Sequence, residues 1–238
     1  MKIGILQCGP VADALVPEFG QYGDIFQRYL ARRGFDFAVY DVPAGDIPAL
    51  DACEGYLLTG SKYGAYEDHT WIAPLEDFIR AAFDARRPQV GVCFGHQIIA
   101  QALGGRVEKF AGGWCVGVQS YAMGDETLPL YAWHQDQVMA LPPGARVTAQ
   151  TDFCRFAGFA IDDRVLTLQP HPEFTRGYFE GLIEHRSKGI IPDALRAAAQ
   201  ASASDLVAGD RVADIFDAFF RAGSSTVADG QTSVRDAV

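Results

Sequence analysis

The five cysteines of this 238-residue chain, at positions 8, 53, 93, 115 and 154, include no Cys-x-x-Cys pair. Their wide gaps and odd number exclude a zinc ribbon, a dithiol redox motif and a dense disulfide framework. Most of them read as small buried hydrophobes. Runs of Lys or Arg are also missing: 20 basic residues stand against 30 acidic ones, for a formal charge of −10. Such a chain repels phosphate backbones and anionic lipid, so neither nucleic acid nor a membrane surface is expected as a partner. No stretch approaches the roughly 18 uncharged apolar residues of a transmembrane helix. The opening residues, Met1-Lys2 before Ile3-Gly4-Ile5-Leu6-Gln7, are interrupted too soon for a secretion signal, and a cytoplasmic protein is expected. There is no Gly-x-x-x-x-Gly-Lys-[Ser/Thr] phosphate loop, no internal repeat and no low-complexity block.

Apolar residues are plentiful, at 49%, which suffices for a buried core. They follow two periods. Lys2–Gln7, residues 35–42, residues 55–59 and Gln89–Val92 read as short buried strands. Residues 24–33 read as a helix closed by Gly34, and residues 96–103 as one ended by Gly104-Gly105. The clearest helix spans 71–86, where Trp71, Ile72, Leu75, Phe78, Ile79, Ala82 and Phe83 share one face of a 3.6-residue period. Strands and helices in alternation imply parallel strands joined by right-handed crossovers. From 106 to 169 the helical period fades, and short strands are expected at 115–122, 145–150, 153–161 and 165–169. Residues 174–187 and 192–222 read as helical again. The expected fold is α/β: a mostly parallel open sheet with helices on both faces, plus antiparallel additions to that sheet. One domain would cover 1–223, with 224–238 as a flexible tail.

The segment Gln89-Val90-Gly91-Val92-Cys93-Phe94-Gly95-His96-Gln97 runs from a strand through Gly-x-Cys-x-Gly into a helix. This is the pattern of a nucleophile elbow with sulfur in place of a serine oxygen. A sharp strand-to-helix turn forces its central residue into a strained conformation, so small neighbours are required at Gly91 and Gly95. The turn lifts the side chain above the strand ends, where open α/β sheets bind ligands. The positive end of the following helix favours a thiolate, and the Phe94 N–H faces the same space as a donor for an oxyanion.

A cysteine nucleophile needs a base, and the chain has five histidines. His69 lies in a polar loop, His96 follows the elbow on the same helix and reads as surface or local packing, and His185 stands late in a helix. His171 differs: it follows the strand at 165–169, between Pro170 and Pro172, with Glu173 two residues on. Residues two apart in an extended segment point the same way, so Glu173 can accept from one ring nitrogen while the other faces a thiol. Nucleophile, base and orienter would be Cys93, His171 and Glu173.

These residues resemble the class I glutamine amidotransferases, the triad glutaminase family. The matches are Gly91 to Gln97, Gln169-Pro170-His171-Pro172-Glu173-Phe174, and the strand end Leu57-Leu58-Thr59-Gly60-Ser61. Residues 59–68 and 133–138 look most like stand-alone members, such as the glutaminase part of GMP synthase and the plant γ-glutamyl peptidases. The resemblance implies a flavodoxin-like fold and cleavage at the γ-carboxamide of glutamine or of a γ-glutamyl compound, through a glutamyl thioester on Cys93. It implies an oxyanion site from Phe94 and the Gly60-Ser61 turn, substrate contacts at Gln97, His134, Gln135 and Asp136, and no metal or organic cofactor. The family commonly has Gly-Gly-Pro or Gly-Pro-Gly where this chain has Gly60-Ser61-Lys62, and a side chain at Ser61 restricts that turn. Three readings remain: a free-standing amidohydrolase, a glutaminase subunit that supplies ammonia to a separate synthetase, and an idle regulatory homologue. Trp114, Tyr63 and Tyr66 are candidates either for shaping specificity or for core packing.

Overall fold

Alternation along the first strand divides the molecule in two. Ile3 and Ile5 of β1 (Lys2–Gln7) enter one apolar cluster, and Leu6 enters another on the opposite face. A computed structural model of the protein describes the backbone of residues 1–235 and the side chains of residues 1–223. After β1 come α1 (Val16–Phe19), α2 (Tyr22–Leu30), β2 (Asp36–Asp41), β3 (Gly55–Leu58), α3 (Ile72–Asp84), β4 (Gln89–Val92) and α4 (Phe94–Ala102). The middle of the chain forms β5 (Arg106–Lys109), β6 (Cys115–Met123), β7 (Glu126–His134), β8 (Asp136–Ala140), β9 (Arg146–Ala149), β10 (Gly158–Ile161) and β11 (Val165–Leu168). It closes with α5 (Arg176–Arg186), α6 (Asp193–Ser202) and α7 (Gly209–Arg235).

Seven strands form one sheet in the order β2-β1-β3-β4-β11-β10-β9. The pairs from β2 through β11 are parallel, and β10 and β9 are antiparallel additions at one edge. Helices α2, α5 and α7 cover one face around Phe26, Phe179, Phe216 and Phe220. Helices α3 and α4 cover the other around Leu75, Phe78, Ile79, Ile98 and Ile99. The amphipathic face expected over 71–86 is the buried face of α3. The mostly parallel sheet between two helical layers is thus the architecture that the alternating pattern implied.

Three features differ from expectation. The 106–169 region does more than extend the sheet: β6 pairs with β7 and β5 with β8 as two separate antiparallel pairs. Strand β7 carries Pro129, which cannot donate to a ladder, and that residue hides it from a pattern reading. It is tolerated because β7 belongs to a two-stranded pair with β6, and its other strand contact is a single bridge from Tyr131 to His171. Second, the helix expected over 192–222 is two helices. Ala203 leaves helical geometry at ψ 127°, and residues 203–208 form a connecting loop. Third, α2 begins at Tyr22 because the Asp24 carboxylate accepts from the Gln21 N–H at 2.8 Å. Its end is as expected, a short 3-10 turn closed by Gly34 at φ 69°. The tail expected at 224–238 lies outside the residues whose side chains are described; its backbone is followed to Arg235 as part of α7. No helix among the described residues is long and apolar enough to cross a membrane.

The carboxyl ends of β1, β3, β4 and β11 lie side by side and are laced together. Thr59 Oγ1 accepts from Cys8 N at 3.0 Å, Thr59 O accepts from Gly95 N at 3.1 Å, and Leu168 O accepts from Cys93 N at 2.8 Å. In open α/β sheets this edge is where ligands bind.

Candidate active site

Cys93 sits between β4 and α4 at φ 53° and ψ −103°. That conformation costs a non-glycine residue on the order of 1–3 kcal/mol, so the surroundings must impose it. The two flanking glycines allow it by the absence of side chains. A Cβ on Gly95 would lie 2.2 Å from the Leu58 carbonyl oxygen, and one on Gly91 would lie 2.5 Å from the Gly95 carbonyl oxygen. The turn therefore packs backbone directly against backbone. Among the described residues the Phe94 and Ser61 N–H groups have no hydrogen-bond partner. Ser61 stays out of the left-handed region, and its Oγ accepts from Tyr63 N at 3.2 Å.

His171 lies three residues beyond the end of β11, held by a single bridge in which its N–H donates to Tyr131 O at 2.8 Å. Its Nδ1 and Glu173 Oε1 are 2.7 Å apart, and the ring stacks on Phe174 with centroids 3.9 Å apart. Since a carboxylate only accepts, Nδ1 carries the proton and Nε2 is left for another partner. The ring is beside Cys93: a Cβ on Gly60 would touch His171 Cε1 at 3.1 Å and Cys93 Cβ at 3.8 Å. Burial works against a charged imidazole here, but Glu173 and then Cys93 outweigh it and the His171 pKa is raised. Both His171 and Glu173 are buried.

A hollow of about 230 Å³ opens at Cys93, with Ser61, Gln97, His134, Gln135 and Asp136 in its wall. Gln97 on α4 donates from Nε2 to Asp136 O at 3.1 Å and to Gln169 Oε1 at 3.0 Å, which leaves its oxygen as the free acceptor. His134 Nδ1 is 3.1 Å from the Asp136 carbonyl, so that nitrogen holds the proton and the buried Nε2 is an acceptor without a partner. Burial brings the His134 pKa down to about 4. Burial raises the pKa of the Asp136 carboxyl, whose Oδ1 accepts from Tyr66 OH at 3.1 Å. Gly60 adjoins Cys93 and His171, and Phe94 is buried beneath the turn. All the residues singled out from the sequence thus gather at one end of the sheet. His96 instead lies buried with Nδ1 2.8 Å from Thr167 Oγ1, and His69 pairs with Glu67 at 2.8 Å.

A family model for class-I glutamine amidotransferase matches residues 15–185. The chain belongs to the class-I glutamine amidotransferase family. It is 32% identical over 183 residues to gamma-glutamyl peptidase 4 of Arabidopsis thaliana, covering 70% of this chain and 73% of that one. It is also 32% identical over 179 residues to a glutamine-hydrolyzing GMP synthase of Bordetella parapertussis, covering 65% of this chain but 33% of the synthase. A glutamine amidotransferase structure from Methylobacillus flagellatus superposes with a TM-score of 0.74 over 95% of this chain and 94% of its own, at 22% identity, and shares the fold. As a member of that family, the chain is an enzyme of the glutamine amidotransferase-like amidohydrolase type.

Two wall residues of the hollow, Lys109 and Arg186, escape sequence reasoning. Lys62 and Trp133 line it from within the segments 59–68 and 133–138, beside Tyr63, Tyr66 and Trp114, for which the sequence offers both core and pocket. Arg186 is in the last turn of α5, where a basic residue is unremarkable. Nothing near it in sequence marks it for the site.

Proposed function

We propose that this amidotransferase hydrolyses a γ-glutamyl amide through a glutamyl thioester on Cys93. The observation that carries the proposal is the forced backbone at Cys93 next to a buried imidazole already ion-paired with Glu173. Folding alone has no use for a strained cysteine, a buried histidine and a buried carboxylate at one sheet edge. In this reading the Cys93 thiolate attacks the γ-carbonyl carbon and a C–S bond forms. The oxygen takes up the charge facing the free Phe94 and Ser61 N–H groups. His171, protonated and oriented by Glu173, gives its Nε2 proton to the departing nitrogen as the C–N bond breaks. The imidazole then removes a proton from water, which attacks the thioester and releases glutamate and the thiolate. The glutamyl amino acid end occupies the larger hollow, where the acceptors on Gln97, His134 and Asp136 suit an ammonium group. The chemistry needs no cofactor, and the enzyme would act in the cytoplasm.

A second reading, ammonia supply to a separate synthetase, is favoured by the likeness to GMP synthase. One assay separates the two: isolated protein with glutamine and γ-glutamyl peptides, with ammonia or amine release measured. Turnover by the protein alone supports hydrolysis, and turnover only with an added synthetase partner supports the second reading. Cys93→Ser is expected to abolish turnover with the thermal midpoint nearly unchanged. Wild-type activity in that variant would overturn the mechanism.

A further inference from the structure

A second, narrower hollow opens from Cys93. It shares Ser61, Lys62, Cys93, Trp133 and Arg186 with the larger one, and it alone contains His171. Its remaining wall is apolar or aromatic, from Pro10, Ala12, Tyr22, Phe174, Tyr178 and Leu182. The two hollows differ in charge. The larger mixes cations with Glu67 and Asp136, as a zwitterionic glutamyl end requires. The narrower one has two cations, Lys62 and Arg186, and no carboxylate in its wall. Lys62 is exposed and lies over the Tyr63 ring at 5.1 Å, whereas Arg186 is half-buried and makes no ion pair among the described residues. With no carboxylate partner of its own, the Arg186 guanidinium is available to an anion that enters either hollow it lines.

Resting on the proposed amide cleavage, we infer that the narrow hollow is a leaving-group site in which Arg186 binds a carboxylate on the departing amine, so that the substrates are γ-glutamyl amino acids or short peptides. The chemistry sets the direction. The proton donor must stand on the side of the departing nitrogen, and His171 lines only the narrow hollow. Ammonia, the leaving group of glutamine, would leave both the apolar wall and the guanidinium unused. An α-amino acid departing through its nitrogen carries its carboxylate two bonds away, and Arg186 lines the same hollow as His171. Arg suits that role because its planar fork matches a carboxylate.

The test compares γ-glutamylglycine with γ-glutamylethylamide, which has a leaving group of similar size and no carboxylate, and with glutamine. Wild-type enzyme is expected to favour γ-glutamylglycine in kcat/KM by roughly tenfold or more, as for a charge-assisted contact. Arg186→Gln should lose about that factor on γ-glutamylglycine and stay within about twofold on the ethylamide, with Arg186→Lys intermediate. The ratio of two substrates on one preparation does not depend on how much of the variant is folded. An equal loss on all substrates would move Arg186 to the glutamyl end and overturn the inference. The absence of any wild-type preference for the carboxylate would also overturn it. Both results leave cleavage at Cys93 standing. No turnover of any of the three, with no labelling of Cys93 by a glutamine-like electrophile, would instead overturn the reading beneath it.

Discussion

The two sides of the candidate site are built differently. On the Cys93 side the chain holds itself: β4, the turn and α4 are contiguous, and the fit depends on Gly91 and Gly95 lacking side chains. The His171 side is held from far away. Its N–H binds Tyr131 O, and the Tyr131 hydroxyl donates to Ser204 O and accepts from Ser204 N at 2.9 Å. Ala208 N donates to Pro129 O at 2.9 Å, and Tyr29 OH donates to Gly209 O at 2.8 Å. A Cβ on Gly209 would come within 2.6 Å of the Pro172 carbonyl oxygen. The loop between α6 and α7, beyond the family match at 15–185, therefore clasps the imidazole segment. The nucleophile is presented by a contiguous turn that packs on its neighbouring strands through Leu58, Thr59 and Leu168, whereas its base is brought in by a loop from a distant part of the chain.

The largest effect is expected where that local packing is broken. Gly95→Ala forces a methyl group against the Leu58 carbonyl and should cost about 3 kcal/mol or more. Urea unfolding measures it, and a loss under about 1 kcal/mol would mean that the turn relaxes freely. On the other side, Glu173→Gln keeps shape but removes the charge. It should lower kcat by about 10²-fold, less than the loss expected of Cys93→Ser. Because Glu173 helps to raise the His171 pKa, the alkaline limb of the pH profile should move to lower pH; an unmoved limb would separate Glu173 from the imidazole. Tyr131→Phe tests the clasp, with an expected loss of about 1–3 kcal/mol for two hydrogen bonds. A severalfold fall in kcat at constant KM should accompany it, and unchanged kcat would reduce the clasp to a purely structural role.

The smallest effect is the pH dependence of stability, and its sign differs between the histidines. Burial brings the His96 pKa down to about 3 and that of His134 to about 4. Their neutral forms are favoured in the folded state, so stability is present above the unfolded value near 6.5 and lost as pH falls toward 4. His171 has the opposite sign: its raised pKa contributes stability below about 6.5 that is lost as pH rises through the folded value. His96→Asn should flatten the acid side of the curve and leave the alkaline side unmoved, and a change on the alkaline side would contradict the assignment. His171→Ala should flatten the alkaline side and, because the His171 charge helps to lower the His134 pKa, also move the acid side slightly; an unmoved alkaline side would contradict its assignment.

Most of the pattern of residues 1–105 is legible because its strands and longer helices each obey one short-range rule; the single-turn α1 (Val16–Phe19) is too short to show a period. The 3.6-residue period exposes α3, the run of apolar residues exposes β1 and β4, and the glycine spacing exposes the turn at Cys93. Pro-His-Pro-Glu was legible as a candidate once Cys93 was in view. The strands β5, β7 and β8 were not, since their pairing partners lie elsewhere in the chain and β7 contains Pro129. Nor was the break at 203–208 visible in an alanine-rich stretch. Its loop conformation is paired with Tyr131 and Pro129.

From the order of its residues alone, the chain determined an α/β sheet, a strained cysteine at the end of a strand, and which histidine and glutamate are spaced to serve it. Steric limits on the backbone and the periods of helix and strand act over a few residues, so they can be read from a line of text. Tertiary structure alone decided that Tyr131 and Ser204 hold the imidazole segment and that Arg186 reaches the hollow from the last turn of α5. It also decided that the two hollows at Cys93 carry different charge. These outcomes depend on which distant surfaces are buried together and on what partners remain for the charges left between them.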